Sequence, residues 1–217
     1  MKPPPDDRRA EEENEMAVAP AEYLYTAEEY LALERQADFK SEYVDGRIYA
    51  MSGAREAHDL IAGNVFAEIH NQLKRRPCVA HTSDFRLGIG HDRKFVYPDV
   101  SVVCGQPEFR DNVFDTLLNP ALIVEVLSES TALGDRGWKA TAYRAIPSLQ
   151  EYILIAQDRI HVEHYIRNGA VWIFCEDESP DAILEMPAIG CSVAFSDIYD
   201  RVTFPEEVTP EGDAESA

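Results

Sequence analysis

The sequence is short of bases. Its 217 residues hold 20 Lys and Arg against 40 Asp and Glu, a formal net charge of −20. So acidic a chain is no simple electrostatic binder of nucleic acid, because phosphate is repelled at long range. Long apolar runs are also missing. None approaches the roughly 20 residues that a bilayer-crossing helix needs, so no membrane partner is expected. The first 22 residues carry no apolar stretch of the kind a secretory leader has. Cysteine is scarce, with only Cys78, Cys104, Cys175 and Cys191 and no C-x-x-C spacing. Scattered in this way, they read as free, mostly buried thiols in a reducing compartment, which predicts a cytoplasmic protein. Zinc is disfavoured on the same ground. Cys78 and His81 make one pair of ligands, but no second pair follows. His161 and His164 lie three apart on an expected strand and so point to opposite faces.

What is present reads as one domain between two acidic tails. Residues 1–22 carry seven acids and three bases, and residues 205–217 carry five acids and no base. Both tails are rich in Pro and Glu and are expected to be disordered. Residues 23–204 keep a net charge of −11, so any contact with nucleic acid needs a local basic strip or a metal ion. The segment "TAEEYLALERQ" opens with a capping box, Thr26 with Glu29. "KSEYVDGRIYAM" reads as a hairpin turning at Asp45-Gly46. "REAHDLIAGNVFAEIHNQLKRR" is a long amphipathic helix, with Pro77 beyond it as the stop. "CVAHTSDFRLGIG", "FVYPDVSVVCG", "ALIVEVLS" and "EYILIAQ" each read as a strand. "DRGWKATAYRAI" reads as a helix, "RIHVEHYIRNGAVWIFC" as a hairpin around Asn168-Gly169, and "CSVAFSDIYDRV" as a strand with a helical turn. Buried strands with helices on either side predict an α/β fold with a mixed sheet.

Two of these apolar strands each carry one carboxylate, Asp99 after Pro98 and Glu125. A lone buried carboxylate costs several kcal/mol unless it is paired, protonated or bound to metal. If the two strands pair antiparallel, Asp99 and Glu125 face each other near one rim of the sheet. Each acid alone reads more simply as half of an ion pair. Two together repel unless a cation intervenes, and an oxygen-only donor set suits Mg²⁺ or Mn²⁺. Glu42 in the hairpin is a third candidate, or else a solvated charge. His58, at the start of the long helix, could touch a phosphate or a metal-bound water, or simply begin the helix. Asp135, Lys139 and Tyr143 fall at i, i+4 and i+8 on one helical face. That makes Lys139 either a cation aimed at the carboxylates or half of a surface pair with Asp135, with Tyr143 as core.

The run "YPDVSVV", then "IVEVLSEST", then "DRGWKATAYRAIPSLQEYILI", preceded by "YVDGRIYAMSGAREAH", resembles the putative restriction endonuclease family of the PD-(D/E)xK nuclease superfamily. The likeness covers residues 24–202. It implies a restriction-endonuclease-like fold, a mixed β-sheet flanked by helices, and Mg²⁺-dependent cleavage of phosphodiester bonds. Asp99 matches the Asp of PD, Glu125 the acid of (D/E)xK, Glu42 the acid before the sheet core and His58 the histidine of the first long helix. The strand lysine is absent, since Leu127 stands there. Lys139 on the following helix matches the family's alternative lysine.

This implies that Asp99, Glu125 and the carbonyl of Val126 hold one metal ion, with Glu42 completing the shell or taking a second. DNA is the implied partner, and a homodimer is expected because two strands are cut by one site per chain. Two other classes stay open: a nuclease fold kept as an inactive binding module, and a metallohydrolase of small phosphorylated substrates. The tails are expected to be dispensable in every case. Deleting residues 1–22 and 205–217 should leave the melting curve of the domain intact. DNA binding at low salt should be equal or tighter, since nine units of net negative charge are gone. Loss of folding would show instead that a tail docks on the domain.

Overall fold

The computed structural model describes residues 23–205, so the two expected tails lie outside the described residues, Pro205 excepted. The architecture is α/β, with mixed sheets flanked by helices, as the patterning predicts. Helix α1 (Ala27–Glu34) starts at Thr26 with the expected capping box. Strands β1 (Ser41–Val44) and β2 (Arg47–Ala50) form the hairpin. Its turn needs left-handed backbone at both Asp45 (φ 48°) and Gly46 (φ 97°), the geometry that suits a two-residue Asp-Gly turn. Helix α2 (Glu56–Leu73) buries Ile61, Val65, Ile69 and Leu73 on one stripe. It ends before Pro77, because Lys74 already turns to extended backbone (φ −54°, ψ 127°).

Two expected strands are each split between sheets. "CVAHTSDFRLGIG" becomes β3 (Cys78–Thr82) and β4 (Arg86–Ile89). "FVYPDVSVV" becomes β5 (Lys94–Val96) and β6 (Val100–Cys104). Pro98 has no N–H to give a ladder, and the chain leaves one sheet for the other there. Strands β7 (Thr116–Leu117), β8 (Leu122–Leu127) and β9 (Glu151–Ala156) follow, the last two parallel. β10 (Val162–Asn168) and β11 (Val171–Asp177) pair with Asn168 opposite Val171. The turn is therefore Gly169-Ala170, one residue later than expected, and Gly169 takes φ 62°. A strand not anticipated, β12 (Ile183–Met186), pairs with β13 (Cys191–Ala194) before α5 (Phe195–Ile198).

The strand orders are β2-β1-β5-β4-β7 in one sheet and β11-β10-β9-β8-β6-β3 in the other. One face of the six-stranded sheet packs Val100, Leu122, Val124, Val126 and Ile153 against α2 and α5. The opposite face sends Val103, Ile123, Leu127 and Leu154 toward Leu87 and Val96 of the smaller sheet. Strand alternation thus puts Asp99 and Glu125 on this second face.

The expectation of four free thiols is corrected. Cys78 and Cys104 stand opposite each other in the β3–β6 register and are joined as a disulfide. Cys175 is free and exposed, and Cys191 is free and buried. The hairpin-like return of the chain brings neighbouring strand positions together, a proximity invisible in a spacing of 26 residues. Among the described residues no helix is long and apolar enough to cross a membrane.

Candidate active site

The site begins just ahead of β6, whose first residue is Val100. The strand's pairing with β8 ends at Val100 opposite Val124. Beyond that point the Val126 N–H has no strand partner from β6 and donates to Asp99 Oδ2 at 2.7 Å. That bond fixes the carboxylate of Asp99 beside Glu125, one position past the last pair. The antiparallel meeting expected from the sequence is the one observed. His58, in the first turn of α2, places Nε2 3.3 Å from the same Asp99 oxygen. Burial pushes the His58 imidazole down, but Asp99, Asp135 and Asp59 together outweigh it and the net shift is upward.

The lysine arrives from a distorted helix. Helix α3 (Ala132–Gly134) runs into a π turn (Asp135–Lys139), which continues as α4 (Ala140–Arg144). In the wider turn the Ala140 N–H donates to the Asp135 carbonyl, and the Tyr152 hydroxyl donates to the same oxygen at 3.0 Å. Such π turns are frequent where side chains must be re-aimed at a functional site. Here the result is that Asp135 and Lys139 are both buried, at 2% and 8% exposure. The surface-pair reading of these two therefore fails. Lys139 Nζ lies 3.1 Å from Glu42 Oε1, 3.3 Å from Glu125 Oε1 and 3.3 Å from Asp135 Oδ1. Burial lowers the ammonium's pKa, but Glu125, Glu42 and Asp135 together raise it further, so it stays charged.

One ammonium shared by three carboxylates leaves negative charge over. Glu125 shows the effect. Burial drives its carboxyl well above the ordinary range, Lys139 pulls it back, and Asp135 and Asp99 push it up again. Glu42 Oε1 and Asp135 Oδ1 are near Lys139 but are not aligned for a hydrogen bond, and both are buried without one. The proximity gives Coulomb attraction, not full satisfaction. A further cation would relieve this surplus. The donors are all oxygens, which suits Mg²⁺ or Mn²⁺. No group of three His, Cys, Asp or Glu side chains stands ready as a metal cage among the described residues. A magnesium-type ion fits two carboxylates, a backbone carbonyl and retained waters, because it dehydrates reluctantly.

Tyr143 was legible only as core. It is fully buried, yet its hydroxyl donates to Glu125 Oε1 at 2.7 Å. The i, i+8 spacing from Asp135 put it on the right face. Nothing in the sequence said that its hydroxyl had a partner. Gln157, just past β9, was also missed, and its buried Oε1 has no hydrogen-bond partner. A cleft of about 1030 Å³ takes in Asp99, Glu125, Lys139, Glu42, His58 and Gln157. The structure therefore gathers all five sequence-derived side chains at one place. Tyr143→Phe should cost about 1–3 kcal/mol in a denaturant melt, since a buried carboxylate loses its shortest hydrogen bond. An unchanged midpoint would show that Lys139 alone satisfies Glu125.

The fold and site define a restriction-endonuclease-like α/β protein with an acidic, lysine-bearing cleft. The family described as "Putative restriction endonuclease" (Uma2) matches residues 27–196, and the chain belongs to that family. Two proteins of Synechocystis sp. (strain PCC 6803) are similar over most of their length. "Uncharacterized protein sll1609" is 39% identical across 78% of this chain and 97% of its own. "Uncharacterized protein slr1290" is 35% identical across 82% and 92%. Among solved structures, one described as a "putative nuclease belonging to DUF820" from Anabaena variabilis superposes with a TM-score of 0.66 at 21% identity. It covers 80% of this chain and 97% of that one. At that identity the likeness speaks to the fold.

Proposed function

We propose that the protein is a Mg²⁺- or Mn²⁺-dependent endonuclease that hydrolyses phosphodiester bonds in DNA. One observation carries the reading: the Lys139 ammonium, delivered from the helix, lies 3.3 Å from Glu125 Oε1 in a cleft that Asp99 also lines. The lysine missing at position 127 of the strand thus has a substitute beside the carboxylates. Asp99, Glu125 and the carbonyl of Val126 would hold the ion, and Glu42 lies 3.1 Å from Lys139 Nζ. When bound, such an ion polarises a phosphoryl oxygen and lowers the pKa of a water. The chain's own residues do the remaining work. The Val126 N–H and His58 orient Asp99. Tyr143 orients Glu125. Lys139 meets the negative charge that grows on the phosphoryl oxygens.

In this reading the protein acts on DNA in the cytoplasm as a two-fold pair, each copy cutting one strand. The deciding experiment incubates the full chain with single-stranded, duplex and supercoiled DNA in Mg²⁺ and in Mn²⁺, beside mononucleotides. Cleavage of a DNA form only with metal supports the reading. Hydrolysis of nucleotides alone would replace it with a small-substrate metallohydrolase, and no turnover would replace it with a binding module.

A further inference from the structure

We infer that a second cavity beside the catalytic cleft is a binding site for the phosphodiester backbone that flanks the scissile phosphate. The inference rests on the nuclease reading above and names where the substrate strand runs. The cavity measures about 420 Å³, within the size range of ligand-sized clefts. It adjoins the catalytic cleft: Arg55, Ser128, Glu129 and Gln157 line both. Its lining is less acidic than that of its neighbour. The second cavity sets Arg55, Arg136 and Arg159 against Glu129 and Asp158. The catalytic cleft sets Lys40, Arg55 and Lys139 against six carboxylates. In a chain of net charge −20, a strand that must leave an acidic cleft meets three guanidiniums here.

The three guanidiniums are not equally available. Arg136 is committed to Glu163, with Nε at 2.7 Å from Oε1. Arg159 has a 3.5 Å approach to Asp158, with both side chains more than half exposed, and a second long contact, 3.5 Å, with His161 Nδ1. Such a pair contributes little and is readily exchanged. Arg55 has no side-chain hydrogen bond or ion pair among the described residues. By contrast, the exposed Arg35 and Arg93 and the partly buried Arg110 all hold carboxylates. Arg55 also sits at the N-cap of α2, three residues before His58. One cation is thus free at the junction of the two cavities, and one is loosely held in the second. A guanidinium offers paired donors that match phosphate oxygens.

The test measures binding apart from cleavage. Fluorescence anisotropy of a labelled 12-nucleotide DNA strand is recorded in EDTA against the full chain, the Arg55→Gln/Arg159→Gln double variant and Arg75→Gln. Arg75 is an exposed residue beyond the other end of α2 and controls for the loss of one of the two positive charges. The double variant should bind about tenfold more weakly. Its salt slope should fall by about 1.4, because each single-strand phosphate contact contributes about 0.7. Arg75→Gln should match the wild type. Equal affinity and slope in all three proteins would overturn the inference, as would a wild type that binds no strand. Inorganic phosphate or a mononucleotide binding as tightly as the 12-mer, with the same loss in the double variant, would also overturn it in favour of a small anion. Failure to cleave DNA in Mg²⁺ or Mn²⁺ would remove the nuclease reading without touching this binding result.

Discussion

Glu125→Gln is expected to abolish metal-dependent cleavage and metal binding while leaving the metal-free melting temperature unchanged or higher. Glu125 is 4% exposed and shares one ammonium with Glu42 and Asp135. Removing its charge removes repulsion from Asp99 and Asp135 and leaves Lys139 two carboxylates. The amide oxygen can still accept from Tyr143. The dependence on pH follows from the raised pKa of Glu125. In the unfolded chain the group titrates near 4.3, and in the folded chain it titrates higher. Between the two values the folded state holds the extra proton. The stability this group contributes is therefore complete below the unfolded value and is lost as pH rises through the folded one. Metal-free wild type should melt lower as pH rises over that window, and Glu125→Gln should flatten the trend. Mg²⁺ or Mn²⁺ should raise the wild-type melting temperature by mass action and leave the variant unmoved. A large metal-free loss of stability in Glu125→Gln would mark Glu125 instead as half of a structural ion pair.

Asp99 and Glu125 were legible because a carboxylate inside an apolar strand breaks its pattern, and their antiparallel meeting follows from two strands joined by one connection. Glu42 and His58 were open candidates from the residues, since hairpin charge and helix-start histidine are ordinary features by themselves, and the family likeness then matched both. The split of "FVYPDVSVV" between two sheets was not legible. Pro98 forbids a ladder bond, but only the tertiary arrangement decides whether a strand bends or changes sheets there. The burial of Asp135 was hidden for a related reason. An i, i+4 Asp-Lys pair looks like a surface pair until the π turn rotates both residues inward. Cys78 and Cys104 gave no signal because their closeness comes from strand register.

Lys139→Ala is expected to lose about 10²–10³ in single-turnover cleavage at saturating Mg²⁺ while keeping or tightening metal affinity. An ammonium that meets charge developing on the phosphoryl group acts mainly in the transition state, and removal of one such stabiliser typically costs that much. In the proposed site the ion, by contrast, would be held by Asp99 and Glu125, and that site becomes more negative when the lysine goes. The burial of Lys139 adds a second consequence that a surface pair would not have. Glu42, Glu125 and Asp135 lose their shared cation, and breaking a buried pair from one side costs roughly 3–5 kcal/mol. The metal-free variant should therefore melt well below wild type, and Mg²⁺ should restore part of the loss by replacing the missing positive charge. Lys139→Arg should recover stability better than rate, because a planar guanidinium supplies charge without occupying the ammonium's point. Cleavage, metal affinity and melting measured on the same three proteins separate these effects. Near-wild-type cleavage by Lys139→Ala would remove the lysine from the mechanism and leave His58, 3.3 Å from Asp99, as the group to test next.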